Sequence, residues 1–278
     1  MSTVDASELA TRVAELSWHH AIDLGGGVVT PGRAPVRPDV EAVLPPFEGR
    51  SVLDIGAWDG YYSFLAERRG ARRVVALDHY VWGVDLWARN RYWEECKASG
   101  VLPDPTRDET DFWRPELPGK RPFDLAREAL GSRVEAVPAD FMTADLGALG
   151  TFDVVLFLGV LYHLREPFVA LERLRTLAGG VAVIDTEGIE VPGRPDEGLL
   201  RFFPGDELAG DYGNWFATSE RALHAMCHAA GFGRVTTVLG PAAPPRGASG
   251  TGVAATVLRR RAPVEPIRRY RLVVLAHA

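Results

Sequence analysis

The feature that most limits what this chain can fold into is a series of short runs that are apolar along nearly their whole length. Residues 51–55, 74–78, 134–139, 153–158 and 181–186 are such runs, and helical patterns separate several of them. A strand wetted on one face alternates apolar and polar side chains, whereas a strand covered by helices on both faces does not. The runs therefore predict the parallel strands of a doubly wound α/β protein, with helices over 60–69, 166–178 and 218–230. Two more strand candidates, 234–239 and 252–258, flank the turn-rich "GPAAPPRGASG". They complete an expected seven-stranded sheet, mostly parallel with an antiparallel last strand. At 278 residues and 46% apolar composition the chain can fill such a core.

Residues 5–17 predict an amphipathic helix, with Asp5 and Glu8 spaced as a capping box and Val4 and Leu9 as a hydrophobic staple. The Gly- and Pro-rich stretch 23–46 follows, so 1–46 is expected to be an N-terminal helix and cap. The main domain is expected over 47–261. Two stretches exceed a minimal alternating sheet, 80–131 and 188–217. Both leave the C-terminal ends of strands, where open α/β sheets place ligands, and both are expected to be lids. The first holds Trp82, Trp87, Trp93 and Trp113. Residues 262–278 are expected to form a basic tail, because six arginines crowd 259–261, 268, 269 and 271.

The first run leads into "DIGAWDG", a strand, glycine turn and helix that bring backbone N–H groups to a ligand. It is not a dinucleotide fingerprint, since Gly56 and Gly60 are spaced G-x-x-x-G and Trp58 stands where a middle glycine belongs. No Gly-Lys-Ser/Thr follows, which excludes a P-loop. Acids mark successive strand ends instead: Asp54, Asp78 and Asp140. An acid ending the second strand suits a ribose diol. Three acids around one ligand suit a cation without phosphates.

"VLDIGAWDG", "VVALDHY", "VPADF" and "FDVVLFLGVLYHLREP" together resemble the cofactor motifs of class I S-adenosylmethionine-dependent methyltransferases, over residues 50–187. The resemblance implies a Rossmann-like fold. It places Asp54, Gly56, Trp58, Asp59 and Gly60 beside the methionine end of S-adenosylmethionine (product S-adenosylhomocysteine), Asp78 on the ribose, and His79, Asp140, Phe141 and Gly159 around the adenosine and strand-end turn. Within that class, "GVLYHLREP", "TPG" (30–32) and "NWFATSERALHAMCHAAGF" are similar to the tRNA wobble-uridine carboxymethyltransferase subfamily. The longer tRNA enzyme carries an N-terminal lysine that engages a carboxylated cofactor. This chain has no lysine before Lys97.

His163, just past the fourth run, is the candidate general base for a hydroxyl acceptor, with Tyr162 orienting cofactor or acceptor. The bland alternative is that both merely cap the strand. Trp82, Trp215 and His20 are the candidate substrate contacts. His224 and His228 are four apart beside Cys227, but they flank an apolar stripe, and no metal site is expected. Two cysteines without metal spacing and no apolar run beyond nine residues predict a cytoplasmic protein with no membrane span. A net charge of −6 weighs against a nucleic-acid partner. The expectation is methyl transfer to a small molecule, a specialised-metabolite hydroxyl foremost. The alternatives are RNA modification and a non-catalytic S-adenosylmethionine-binding protein. Oligomeric state is left open.

Overall fold

A computed structural model describes residues 6–35, 37–104, 106–241 and 267–278. Its centre is a sheet in which β1 (Ser51–Ile55), β2 (Arg73–Asp78), β3 (Glu135–Pro138), β4 (Phe152–Leu158) and β5 (Ala178–Glu190) run parallel in the order β3-β2-β1-β4-β5. These are the five apolar runs. The sheet is two-sided because consecutive residues of each strand are buried in opposite layers. Val52, Val74 and Val154 pack on one face with Phe64 and Phe123. Leu53, Val75 and Val155 pack on the other with Leu171, Leu174, Leu223 and Cys227.

Nine helices stand in chain order among the described residues: α1 (Ala6–Ala14), α2 (Pro38–Val43), α3 (Tyr61–Arg68), α4 (Tyr80–Gly83), α5 (Leu86–Ala98), α6 (Arg107–Thr110), α7 (Arg121–Ala129), α8 (Pro167–Leu177) and α9 (Glu220–Ala229). The expected N-terminal helix is present as α1, while Val4 and Asp5 of its cap lie outside the described residues. Trp18 follows it, buried, and donates its indole N–H to the Val13 carbonyl at 2.9 Å. The first insertion is α4 to α7. The second contains the antiparallel pair β6 (Leu200–Phe202) and β7 (Phe216–Thr218). β7 joins the sheet beside Gly188, past the last residue of β5 that β4 reaches, Asp185.

The basic tail is a correction. Residues Arg268–His277 form β9, which runs antiparallel to β5 from Val181 to Glu190 and carries β8 (Arg234–Leu239) on its other edge. Three arginines at its start obscured the apolar run 272–276 behind them. Those arginines are engaged within the fold. Arg271 Nε donates to Asp185 Oδ1 at 3.1 Å and its Nη1 to Glu187 Oε1 at 2.8 Å. Arg268 lies 3.6 Å from Glu190, and Arg269 donates to the Glu207 carbonyl. The antiparallel strand expected at 252–258 falls outside the described residues.

His224 and His228 are satisfied by Thr237 Oγ1 at 2.8 Å and the Phe232 carbonyl at 3.0 Å. Among the described residues no cluster of His, Cys, Asp or Glu could hold a metal, and no helix is long and apolar enough to cross a membrane.

Leu272 is fully buried, so Leu272→Ala is expected to cost about 2–5 kcal/mol in urea unfolding. A solvated tail residue changes stability by no more than about 0.5 kcal/mol.

Candidate active site

The C-terminal ends of β1, β2 and β4 open into a cleft of about 500 Å3, roofed by the N-terminal segment and the two insertions. Its floor is the turn between β1 and α3. Gly56 has a φ of +77°, and a Cβ there would lie 2.6 Å from Val160 Cγ2, so only glycine lets the two strand ends approach. Gly60 caps α3 at φ +87°, where a Cβ would strike Phe64 and Phe123. Its task is packing, and it does not line the cleft.

Trp58 also has positive φ, +51°, which is costly for a residue with a Cβ. Three contacts hold it there. Its N–H donates to Asp78 Oδ2 at 2.9 Å, its carbonyl accepts the Trp82 indole N–H at 2.6 Å, and its ring stacks on His19 with centroids 3.8 Å apart. Trp82 is consequently fully buried behind the turn and does not line the cleft, contrary to its expected role as a substrate contact.

Asp59 is corrected too. Its carboxylate is sealed beneath the N-terminal segment rather than facing the cleft. Oδ2 accepts the backbone N–H groups of His19 and His20 at 2.9 and 2.7 Å, and Oδ1 contacts His20 Nδ1 at 2.6 Å. This contact places His19 and His20 on the cleft wall. Burial lowers the His19 pKa to about 4, which keeps that ring neutral.

Asp54 and Asp78 do face the cleft, and both are almost fully buried. Asp54 Oδ2 accepts the Ser63 hydroxyl at 2.6 Å. Asp78 takes one backbone N–H on each oxygen, from Trp58 and from Val81, leaving lone-pair capacity on both for a ligand diol. Burial raises each pKa to about 6. His79 lines the same wall, stacked on Trp113, and its Nε2 is buried without a hydrogen-bond partner among the described residues. Asp140, Phe141 and Gly159 complete that side.

The acceptor side is built on the short turn after β4. Tyr162 and His163 both line the cleft. His163 Nδ1 lies 3.2 Å from the Gly213 carbonyl, an acceptor, so Nδ1 carries the proton and Nε2 the lone pair. Burial is the chief cause of its lowered pKa, which leaves the ring neutral at pH 7. Trp215 donates its backbone N–H to the Tyr162 carbonyl at 2.8 Å, while its buried ring packs on Trp93. It joins the two insertions and does not line the cleft, which corrects its expected place as a substrate contact.

Several cleft residues escaped the sequence reading: Tyr62, Arg89, Asn90, Glu187, Asp211 and Asn214. Tyr62 was findable, since it sits on the first turn of the helix that Gly60 caps. Arg89 had a fainter signal, an arginine four positions before Trp93 in an aromatic-rich helix.

Fold and cleft together define an α/β domain of the class I cofactor-binding kind. A family model described as a methyltransferase domain matches residues 33–237, and the chain belongs to that family. It is a S-adenosylmethionine-dependent methyltransferase domain. The tRNA U34 carboxymethyltransferase of Campylobacter hominis is 30% identical over 195 residues, which is 68% of this chain and 54% of that protein. That of Pseudomonas aeruginosa is 30% identical over 197 residues, 69% of this chain and 48% of the other. The chain thus spans about half the length of these relatives. The N-terminal domain of EvdMO1, solved in the presence of S-adenosylhomocysteine and D-fucose, shares the fold with a TM-score of 0.61 at 20% identity, covering 99% of this chain and 98% of that one.

The cleft fits the family's cofactor. Two buried carboxylates in its wall suit a cationic ligand. Because a cation favours ionised carboxylates, S-adenosylmethionine affinity is expected to be full above pH 7 and to fall as pH drops through about 6. Calorimetric titrations between pH 5 and 8 should show the dissociation constant rising about tenfold for each carboxylate that protonates. A flat profile excludes these two acids from the site.

Proposed function

We propose that this chain methylates a hydroxyl of a small-molecule acceptor held between the two insertions, with His163 as general base. The observation that carries the reading is the lone pair of His163 Nε2, fixed by the Nδ1–Gly213 contact at 3.2 Å in a wall of the cleft. Asp54 would hold the amino-acid end of the cofactor, Asp78 the ribose hydroxyls, and His79, Asp140 and Phe141 the adenosine. Bound there, S-adenosylmethionine supplies an activated methyl group open to in-line displacement.

The protein's own part is to position the acceptor and manage one proton. His163 Nε2 accepts the hydroxyl proton as the new C–O bond forms, and Asp211, whose charge opposes the lowering of the His163 pKa, helps stabilise the resulting imidazolium. Tyr162 packs against the His163 ring, with centroids 4.4 Å apart, and limits where the acceptor can sit.

His163→Ala is expected to bind S-adenosylhomocysteine normally and to lose about 10²–10⁴-fold in kcat. Full turnover in that variant rules out the base.

A second reading, modification of RNA, is supported by the 30% identity to relatives named tRNA U34 carboxymethyltransferase. Against it stand the net charge of −6 and the engagement of Arg268, Arg269 and Arg271 within the fold. Filter binding with bulk tRNA is expected to show no retention at 150 mM salt. Retention that weakens steeply with added salt favours the RNA reading.

A further inference from the structure

Arg89 lines the cleft, and neither the cofactor contacts nor the proton transfer proposed above uses its chemistry. It stands on α5 in the first insertion and is only 7% exposed. Its guanidinium is held from three sides. Nε donates to Asp108 Oδ1 at 2.9 Å, and Cζ lies 3.6 Å from the Trp93 ring centroid and 4.7 Å from that of Tyr80. These contacts fix the guanidinium plane and occupy one edge. The two Nη groups have no protein acceptor among the described residues and are not sealed from solvent, so their accessible edge belongs to the cleft.

A buried, clamped arginine with a free two-nitrogen edge matches a planar pair of oxygens. Asn214 lines the same cleft and is held in place beside it, its Nδ2 donating to the Leu208 carbonyl at 2.7 Å. The cleft also holds Asp140, Asp211 and Glu187, whose charges oppose a dianion such as phosphate. A monoanion on the guanidinium is the better match.

We propose that Arg89 anchors a carboxylate of the acceptor, so that the substrates of this cleft are small organic acids bearing the methylated hydroxyl elsewhere in the molecule. The assignment rests on the acceptor being a small molecule, as proposed above. Arg89 fixes the acid end, and His163 Nε2 receives the hydroxyl end.

Benzoate and benzamide test the assignment, as two flat probes that differ in the charge of one group, titrated into protein saturated with S-adenosylhomocysteine. Wild type is expected to bind benzoate at least about tenfold more tightly than benzamide. Arg89→Gln is expected to abolish the preference, and Arg89→Lys, which keeps the charge but loses the fork, to retain part of it. Equal affinities, no binding of either probe, an unchanged preference in Arg89→Gln, or displacement of benzoate by an equal concentration of inorganic phosphate overturns the assignment. Titration of S-adenosylhomocysteine alone separates this failure from the other. A wild type that does not bind it undoes the methyltransferase reading, whereas binding without carboxylate preference undoes only the role of Arg89. Should Arg89→Gln fail to bind S-adenosylhomocysteine through misfolding, the Arg89→Lys comparison decides.

Discussion

The carboxylate of Asp59 is the contact on which the site depends. It holds the N-terminal segment over the turn after β1 by two backbone N–H groups and one imidazole. Each bond to a charged acceptor contributes about 1.5–3 kcal/mol net, and three converge on one fully buried side chain. Trp58, the next residue back, reinforces the joint by stacking on His19. The left-handed backbone at Trp58 is what lets neighbouring residues serve different ends, one receiving the cover and the other, through its N–H, orienting Asp78. A glycine in this place would follow the backbone more easily and could keep both backbone bonds, but it would lose the ring that stacks on His19.

Much of the fold was legible because buried parallel strands announce themselves locally. β1, β2, β4 and β8 lie within a residue of where the apolar runs placed them, and the acids at the ends of β1 and β2 reached the cleft as expected. β9 was not legible. Arg268, Arg269 and Arg271 read as solvated charge, and only the acids of β5 opposite them, Asp185, Glu187 and Glu190, explain how they are accommodated. Pairing across 78 or more positions of sequence leaves no local trace.

The site divided along the same line. Asp54, Gly56 and Trp58 were found from the turn itself, whereas Asp59 and Gly60 lie outside the cleft and Tyr62 was missed. Trp82 and Trp215 were misplaced because an aromatic in an insertion can face the cleft or the support behind it, and the choice depends on how helices dock. Trp82 spends its indole N–H on the Trp58 carbonyl, and Trp215 lies under Lys97 and against Trp93. Arg89 was missed for the complementary reason. Its partners Asp108, Trp93 and Tyr80 come from three helices of one insertion.

Gly213 and Trp215, two residues apart in the second insertion, touch the turn after β4 at two points. One carbonyl sets the His163 tautomer, and one N–H holds the Tyr162 carbonyl. The second insertion and the turn that carries His163 are therefore joined at both residues, 162 and 163. Under the proposed role of His163, the readiness of its imidazole to accept a proton is tied to the seating of that insertion, so an altered insertion changes the base as well as the shape of the cleft.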